Sequence, residues 1–421
     1  MRTEDFKHVI TEWLTKGPPN TLEREISIPL ESNLIITVTG GRRTGKTYLL
    51  FNTINKLIRE NKAKINEILY IDFEHSRLKA VKVNDLDDML KAFMELTGNE
   101  PSYIFLDEIH NVENYGSWFR KRLNAKIYLS GSSSSLTPRK IAEELRGRDR
   151  KSVEIYPLSF REYLYFLKEQ FDPKLLSYTE YRGRILSFLR EYLYYGAYPA
   201  VIFEKEKEKL LKSYFDSIIV RDLRTVNPEI AEAFASYIIS NYSSLITVNR
   251  VYNYLKSLGY KIGKEKVLEL FDKSKESYFA FYVEIFNKSE IKRKVNPKKV
   301  YIIDTGYSTA LGYEFSISKA MENAVYLELM RRNYGDIYYW KEFGGSEGKE
   351  VDFVIAKNFQ VEEIIQVTYA TDVVEEREIN AIKKAKKELN PKKITVITWD
   401  YENKENEIDY VPLWKWFLLH Y

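Results

Sequence analysis

The first chemistry visible in this chain is a phosphate cradle, Gly40-Gly-Arg-Arg-Thr-Gly-Lys-Thr47. The pattern Gly-x4-Gly-Lys-Thr gathers consecutive backbone N–H groups around phosphate oxygens at a helix N-terminus. Gly40 and Gly45 would let the backbone follow the required tight path, with Gly41, Arg42, Arg43 and Thr44 between them and Tyr48 at the exit. Lys46 would reach the β- and γ-phosphates of a nucleoside triphosphate, and the Thr47 hydroxyl would bind Mg2+.

A second set of groups lies about 60 residues downstream, in Tyr103-Ile-Phe-Leu-Asp107-Glu108. An apolar strand ending in an acidic pair is the Walker B pattern. Asp107 would hold Mg2+ and Glu108 would act as general base on the attacking water. Ser130 ends the next apolar run, Ala125–Ser130, and would orient that water or sense the γ-phosphate, a role open equally to Ser132 or to a plain serine-rich turn. Arg146 and Arg148 are candidates for an arginine finger, from the same subunit or a neighbour. The alternative for them is a surface cluster with Arg150 and Lys151.

These groups need a scaffold that aligns strand ends. Leu34–Val38, Ile68–Phe73, Tyr103–Asp107 and Ala125–Ser130 read as short buried strands. Tyr48–Ile58 reads as an amphipathic helix, and helical stretches separate the strands. Such alternation predicts an α/β fold with a parallel sheet covered by helices, whose ligands sit beyond the carboxyl ends of the strands. Residues 156–240 read as almost wholly helical. Residues 241–303 read as two helices, Val248–Leu258 and Lys264–Ser277, then a strand Tyr278–Phe286, a charged loop Asn287–Lys299 and a strand Val300–Ile303. That order predicts a winged helix. A long helix around Ser318–Asn333 and further strands make 304–421 a second α/β unit.

Composition bounds the rest. The chain has 421 residues, 44% of them hydrophobic and 30% charged, which is globular and long enough for two to four domains. It has no cysteine, so disulfides and thiolate metal sites are excluded. No apolar run approaches the roughly 18–20 residues that span a bilayer, and the first residues lack a signal-peptide core. These features predict a cytoplasmic protein with no membrane partner. Abundant Lys, Glu, Ile and Tyr point to a hot environment. The net charge of +4 is uneven: residues 241–300 hold 13 Lys and Arg against 6 Asp and Glu, a balance of +7 that points to a polyanion such as DNA.

The ordered motifs carry a resemblance. Gly40–Thr47, Leu106-Asp-Glu-Ile109, Leu129-Ser-Gly-Ser132, Leu145-Arg-Gly-Arg148, Pro157-Leu-Ser-Phe160, Tyr195-Gly-Ala-Tyr-Pro199, Arg221-Asp-Leu223, Tyr301-x-x-Asp-x-Gly306 and Glu350-Val-Asp-Phe353 follow one another. Together they resemble the archaeal AAA-type ATPases (the AAA+ and signalling-ATPase class) fused to a winged helix and a C-terminal PD-(D/E)XK nuclease-like domain. The resemblance spans about residues 20–380. It implies a P-loop NTPase core over 1–155 with a helical lid over 156–240, a winged helix over 241–303 and a nuclease-like domain over 304–421. It implies ATP as the nucleotide, with Mg2+, and a capacity to form homo-oligomers.

The nuclease resemblance also sets an expectation about metal. Glu322 fits its helix glutamate and Asp352 its strand aspartate. The last element aligns with Gln366-Val-Thr368, where an amide replaces the acid and the lysine is missing. Glu322 and Asp352 would keep at most a residual metal site, in a domain that has lost its cutting chemistry. In the winged helix, Lys261, Lys264, Lys266, Lys273, Lys275, Lys292, Arg293 and Lys294 would neutralise phosphates. The expected function is an Mg2+-dependent ATPase coupled to DNA. The alternatives are a slow regulatory switch with protein partners and an ATP-gated nuclease.

Overall fold

The computed structural model describes residues 2–120, 124–131, 138–146, 149–342 and 349–419. They form two compact units, 1–156 and 157–421.

The first unit is built on five parallel strands: β1 Ile35–Gly40, β2 Ile68–Asp72, β3 Tyr103–Asp107, β4 Lys126–Ser130 and β5 Arg150–Ile155. Their order in the sheet is β2-β3-β4-β1-β5. One face buries Ile36, Val38, Phe105 and Tyr128 against Leu50, Ile54 and Leu57 of the helix Lys46–Arg59. The other buries Ile35, Leu69, Ile104 and Leu106 with Phe93 and Met89 of the helix Leu86–Thr97. Each such side chain contributes roughly 1.5–3 kcal/mol on burial. Both faces are apolar, which is why these strands read as continuous hydrophobic runs.

Strand β5 departs from that pattern. It pairs with β1 alone, and its first three residues are exposed. Arg150 and Lys151, weighed in the sequence as part of a surface cluster, are exposed at the start of this strand. Gly40 explains how close β5 comes: its φ is +146°, and a Cβ there would stand 2.2 Å from the Ile155 carbonyl oxygen.

The second unit holds a nine-stranded mixed sheet. Its strands are β6 Ser244–Ile246, β7 Ala280–Ile285, β8 Lys298–Ile302, β9 Asp336–Lys341, β10 Glu350–Lys357, β11 Gln360–Val367, β12 Lys393–Thr398, β13 Asn403–Glu405 and β14 Ile408–Pro412. The order is β13-β14-β12-β11-β10-β9-β7-β8-β6. The divisions expected at 240 and 303 fall inside this unit. Strand β7 pairs antiparallel with β8 and parallel with β9, so the hairpin continues into the C-terminal sheet. The helices Thr179–Tyr195 and Lys207–Arg221, expected as part of a lid, pack on Gly306–Ala310 of this unit. The expected loop 287–299 contains a short helix, Glu290–Val295, capped by the Ser289 side chain. No helix among the described residues is long and apolar enough to cross a membrane.

Candidate functional site

Parallel pairing brings the carboxyl ends of β1, β3 and β4 to one edge of the sheet. Val38 lies opposite Ser130, and Leu106 opposite Leu129. Gly40, Asp107 and Ser130 thereby lie around the start of the helix Lys46–Arg59. That helix begins after Gly45 (φ 99°) with no side-chain cap, leaving its first N–H groups for an anion. Arg43 takes a left-handed φ of 63°, which bends the loop between the two glycines. The Thr44 hydroxyl donates to the Gly41 carbonyl at 2.8 Å, closing the loop on itself. Tyr48 is exposed at the loop exit.

Lys46 is buried and donates to the Gly40 and Gly41 carbonyls at 3.2 and 2.9 Å. Asp107 is buried; burial pushes its carboxyl up, while hydrogen bonds from Ser130, Thr47 and Tyr70 pull it down. The net direction is upward. Glu108 has a left-handed backbone, φ 51° and ψ 39°, which turns its side chain out of the strand line. Its N–H reaches Ser130 Oγ at 3.4 Å, and Ser130 Oγ bonds Asp107. Burial pushes Glu108 up, but His110, Lys46 and Arg42 outweigh it and hold the carboxylate below its ordinary range. One of its oxygens, Oε2, is buried without a well-formed hydrogen bond, although His110 Nδ1 stands 3.1 Å away.

The sequence reading missed four contributors here. Arg24 bridges the carbonyls of Thr44 and Tyr156, both at 3.0 Å, and so fixes the loop from outside. Tyr70 donates to Asp107 Oδ2 at 3.1 Å. Asp72 faces Asp107 across β2 and β3, and burial with that neighbour pushes it up to about 6. His110 flanks Glu108. None belongs to a contiguous motif; Asp72 alone, as a strand-end acid, gave a signal. Arg146 is exposed, just beyond the helix Pro138–Glu144. Arg148 and Ser132 lie outside the described residues.

Mg2+–ATP fits these residues. The uncapped helix start, the glycine path and the under-bonded Glu108 oxygen are what a triphosphate and an attacking water need. Gly40–Tyr48 would hold the phosphates, and Thr47 with Asp107 the ion.

In the second unit, Lys299 of β8 lies at the centre of a buried charged cluster. Its Nζ is 3.0 Å from Glu322 Oε1, 2.8 Å from Glu350 Oε1 and 2.6 Å from Asp352 Oδ1. Burial pulls the ammonium down, but the three carboxylates hold it well above its ordinary value. Burial and Asp352 push Glu322 up to about 8. The β10 register against β9 shifts between Val351 and Val354, a bulge around Asp352. Position 368 is a threonine, and a lysine from β8 stands among these carboxylates instead. The expectation of metal at Glu322 and Asp352 meets a misfit, because Lys299 occupies the oxygens that would bind it.

The basic residues of the hairpin region divide in two. Lys261, Lys264, Lys275 and Lys292 are exposed and form no ion pair among the described residues. Lys266, Lys273 and Lys294 pair with Glu269, Glu276 and Glu290. Arg293 is turned inward: it binds Glu284 at 3.1 Å and the Asn287 carbonyl at 2.7 Å, over the Phe359 ring. Its expected role toward phosphate yields to that of a fastener for the hairpin.

Comparison with known proteins places these features. A family model described as an AAA domain matches residues 32–164, which include the phosphate loop and the Asp107–Glu108 pair. Two models described as domains of unknown function, DUF8612 and DUF4143, match residues 187–318 and 318–416. The protein MJ1544 of Methanocaldococcus jannaschii, described as uncharacterized, is 32% identical over 424 residues, covering 95% of this chain and 91% of that protein. The chain belongs to the MJ1544 family. A second M. jannaschii protein, MJ1637, is 25% identical to this MJ1544-family chain, over 91% of it and 84% of MJ1637. Among solved structures, the Walker-type ATPase PABY2304 of Pyrococcus abyssi aligns at 16% identity and a TM-score of 0.40, covering 73% of this chain and 95% of that one.

Proposed function

We propose that the chain is an Mg2+-dependent ATP hydrolase of the AAA class whose nucleotide state is coupled to DNA contact. The observation that carries the hydrolase reading is Glu108: a buried carboxylate oxygen short of a hydrogen bond, beside Lys46 and one residue from Asp107. A base held ionised at the edge of a phosphate cradle is suited to orient and deprotonate water. Bound Mg2+ would offset charge on the transferring phosphoryl group. Arg146, which is exposed, would serve as an arginine finger from its own chain or from a neighbouring copy.

The DNA reading rests on residues 241–303. Two helices, Val248–Ser257 and Lys264–Glu276, followed by the β7–β8 hairpin support a winged-helix reading, with Lys264 and Lys275 on the second of these helices and Lys292 at the hairpin tip. Exposed lysines that form no ion pair among the described residues are those that would release counterions from phosphates. The test is ATP turnover with and without duplex DNA, together with DNA affinity across a salt series. Stimulation of turnover by DNA and a steep loss of affinity with salt are expected. Turnover indifferent to DNA, with no binding at low salt, would favour protein partners instead.

A further inference from the structure

A nuclease-fold centre implies a divalent ion between its helix glutamate and strand aspartate, and the residues of this chain do not fit one. We propose that Lys299 is the resident cation of that centre: its ammonium replaces the metal, and the second unit binds no divalent ion there.

The stoichiometry of donors supports this. An ammonium has three N–H donors, and three carboxylate oxygens surround this one: it donates to Asp352 Oδ1 and forms ion pairs with Glu322 Oε1 and Glu350 Oε1. Two of the neighbouring oxygens are also engaged. Asp352 Oδ2 accepts from the Val367 N–H at 2.9 Å, and Glu350 Oε2 from Lys341 at 3.1 Å. Glu322 Oε1 accepts in addition from the Tyr301 hydroxyl at 2.7 Å. Gln366, at the position of the third acid, is an amide that accepts from the Asp352 N–H and donates to Glu378. A divalent ion needs several carboxylate oxygens at roughly 2.0–2.6 Å, and here it would have to displace a lysine side chain that is only 3% exposed. Among the described residues no group of three or more His, Cys, Asp or Glu is arranged to hold a metal.

The lysine also has a mechanical consequence. It comes from β8 of the basic hairpin, whereas its partners come from the helix Ile317–Arg332 and from β10. The Tyr301 ring, two residues on, stacks on Tyr326 of the same helix with centroids 4.3 Å apart. One internal ion thus fastens the hairpin to the C-terminal half, a bond that does not depend on metal supply.

The test is Mn2+ binding to the nucleotide-free full chain, read by electron paramagnetic resonance, with circular dichroism to verify folding. Wild type and Asp352→Asn should take up the same amount of Mn2+, because any ion at Thr47 and Asp107 is common to both. Lys299→Ala, which frees three carboxylates, should gain one Mn2+ site and melt higher when Mn2+ is added. Adding Asp352→Asn to that variant should remove the gain. An Mn2+ site in wild type that disappears in Asp352→Asn would overturn the proposal, as would a folded Lys299→Ala variant that gains no site. If Lys299→Ala does not fold, the wild-type comparison with Asp352→Asn decides alone. Nucleotide is absent throughout, so the outcome is independent of the ATPase reading.

Discussion

Ser130 shows how one hydroxyl organises the acidic edge of the sheet. It is fully buried, bonds Asp107 and receives the Glu108 N–H. Removing the hydroxyl leaves Asp107 short of a donor and the left-handed Glu108 backbone less fixed. Ser130→Ala should therefore lower kcat by roughly tenfold, about 1.4 kcal/mol of transition-state stabilisation, with little change in nucleotide affinity. Measurement of kcat and of ATP binding separately checks this; a loss confined to affinity would contradict it. Asp304 provides a test by pH. Burial pushes its carboxyl up to about 7, against N–H donors at Ala197 and Gly306. The folded chain therefore holds this proton more tightly than the unfolded chain. Its stabilising effect is full below about pH 4 and is lost as pH rises through 7. Asp304→Asn should flatten the dependence of melting temperature on pH between 4 and 7, and an unchanged slope would refute the assignment. The Gly40–Thr47 and Asp107–Glu108 groups were legible because each is contiguous and its chemistry follows from a few adjacent residues. Lys299 was not: its partners lie 23, 51 and 53 residues away on two other elements, and in Pro297-Lys-Lys-Val it reads as a solvated tip.

At the scale of elements, the segment before β1 serves the phosphate loop. Asn52 and Asn55 of the first helix after the loop bind the Leu22 and Pro19 carbonyls, and Arg24 bonds the Thr44 carbonyl. The segment is laced to the helix by polar side chains, a pattern with no hydrophobic period to reveal it. Arg24→Ala should raise the KM for ATP several-fold while changing kcat less, since it loosens the loop without touching the acidic pair. Equal losses in both constants would place Arg24 in the chemistry itself. The hairpin has a division of labour that the charge count concealed. Arg293 and Lys298 bind Glu284 and hold the hairpin together, whereas Lys292 faces solvent. Lys292→Glu should weaken DNA binding and flatten its salt dependence without lowering the melting temperature. Arg293→Ala should lower the melting temperature, and thermal unfolding of both variants separates the two roles. The charged run Asn287–Lys299 gave no sign that the hairpin continues into the C-terminal sheet through β7 and β9.

For the whole molecule, the sequence showed two α/β sheets and the order of their strands' chemistry, but not how the second sheet is assembled. Its nine strands join a basic hairpin to the C-terminal half through the parallel β7–β9 pair, and parallel pairing between strands more than 50 residues apart leaves no local sign. The first sheet was easier to read because each strand is apolar on both faces, except at its β5 edge. If ATP is turned over at the first sheet and DNA is held by the second unit, the coupling between them is a free energy that works in both directions. DNA that speeds turnover by changing ATP affinity must itself bind more tightly when ATP is present. The central claim, that Gly40–Thr47 with Asp107 and Glu108 forms a hydrolysis site, is tested most directly by single-turnover ATP cleavage in Mg2+ with wild type, Lys46→Ala and Glu108→Gln. The account predicts cleavage by wild type, loss of ATP binding in Lys46→Ala, and in Glu108→Gln retained binding with cleavage reduced by about 10²-fold or more. Undiminished cleavage in Glu108→Gln, or none in a wild-type chain that binds ATP, would contradict it.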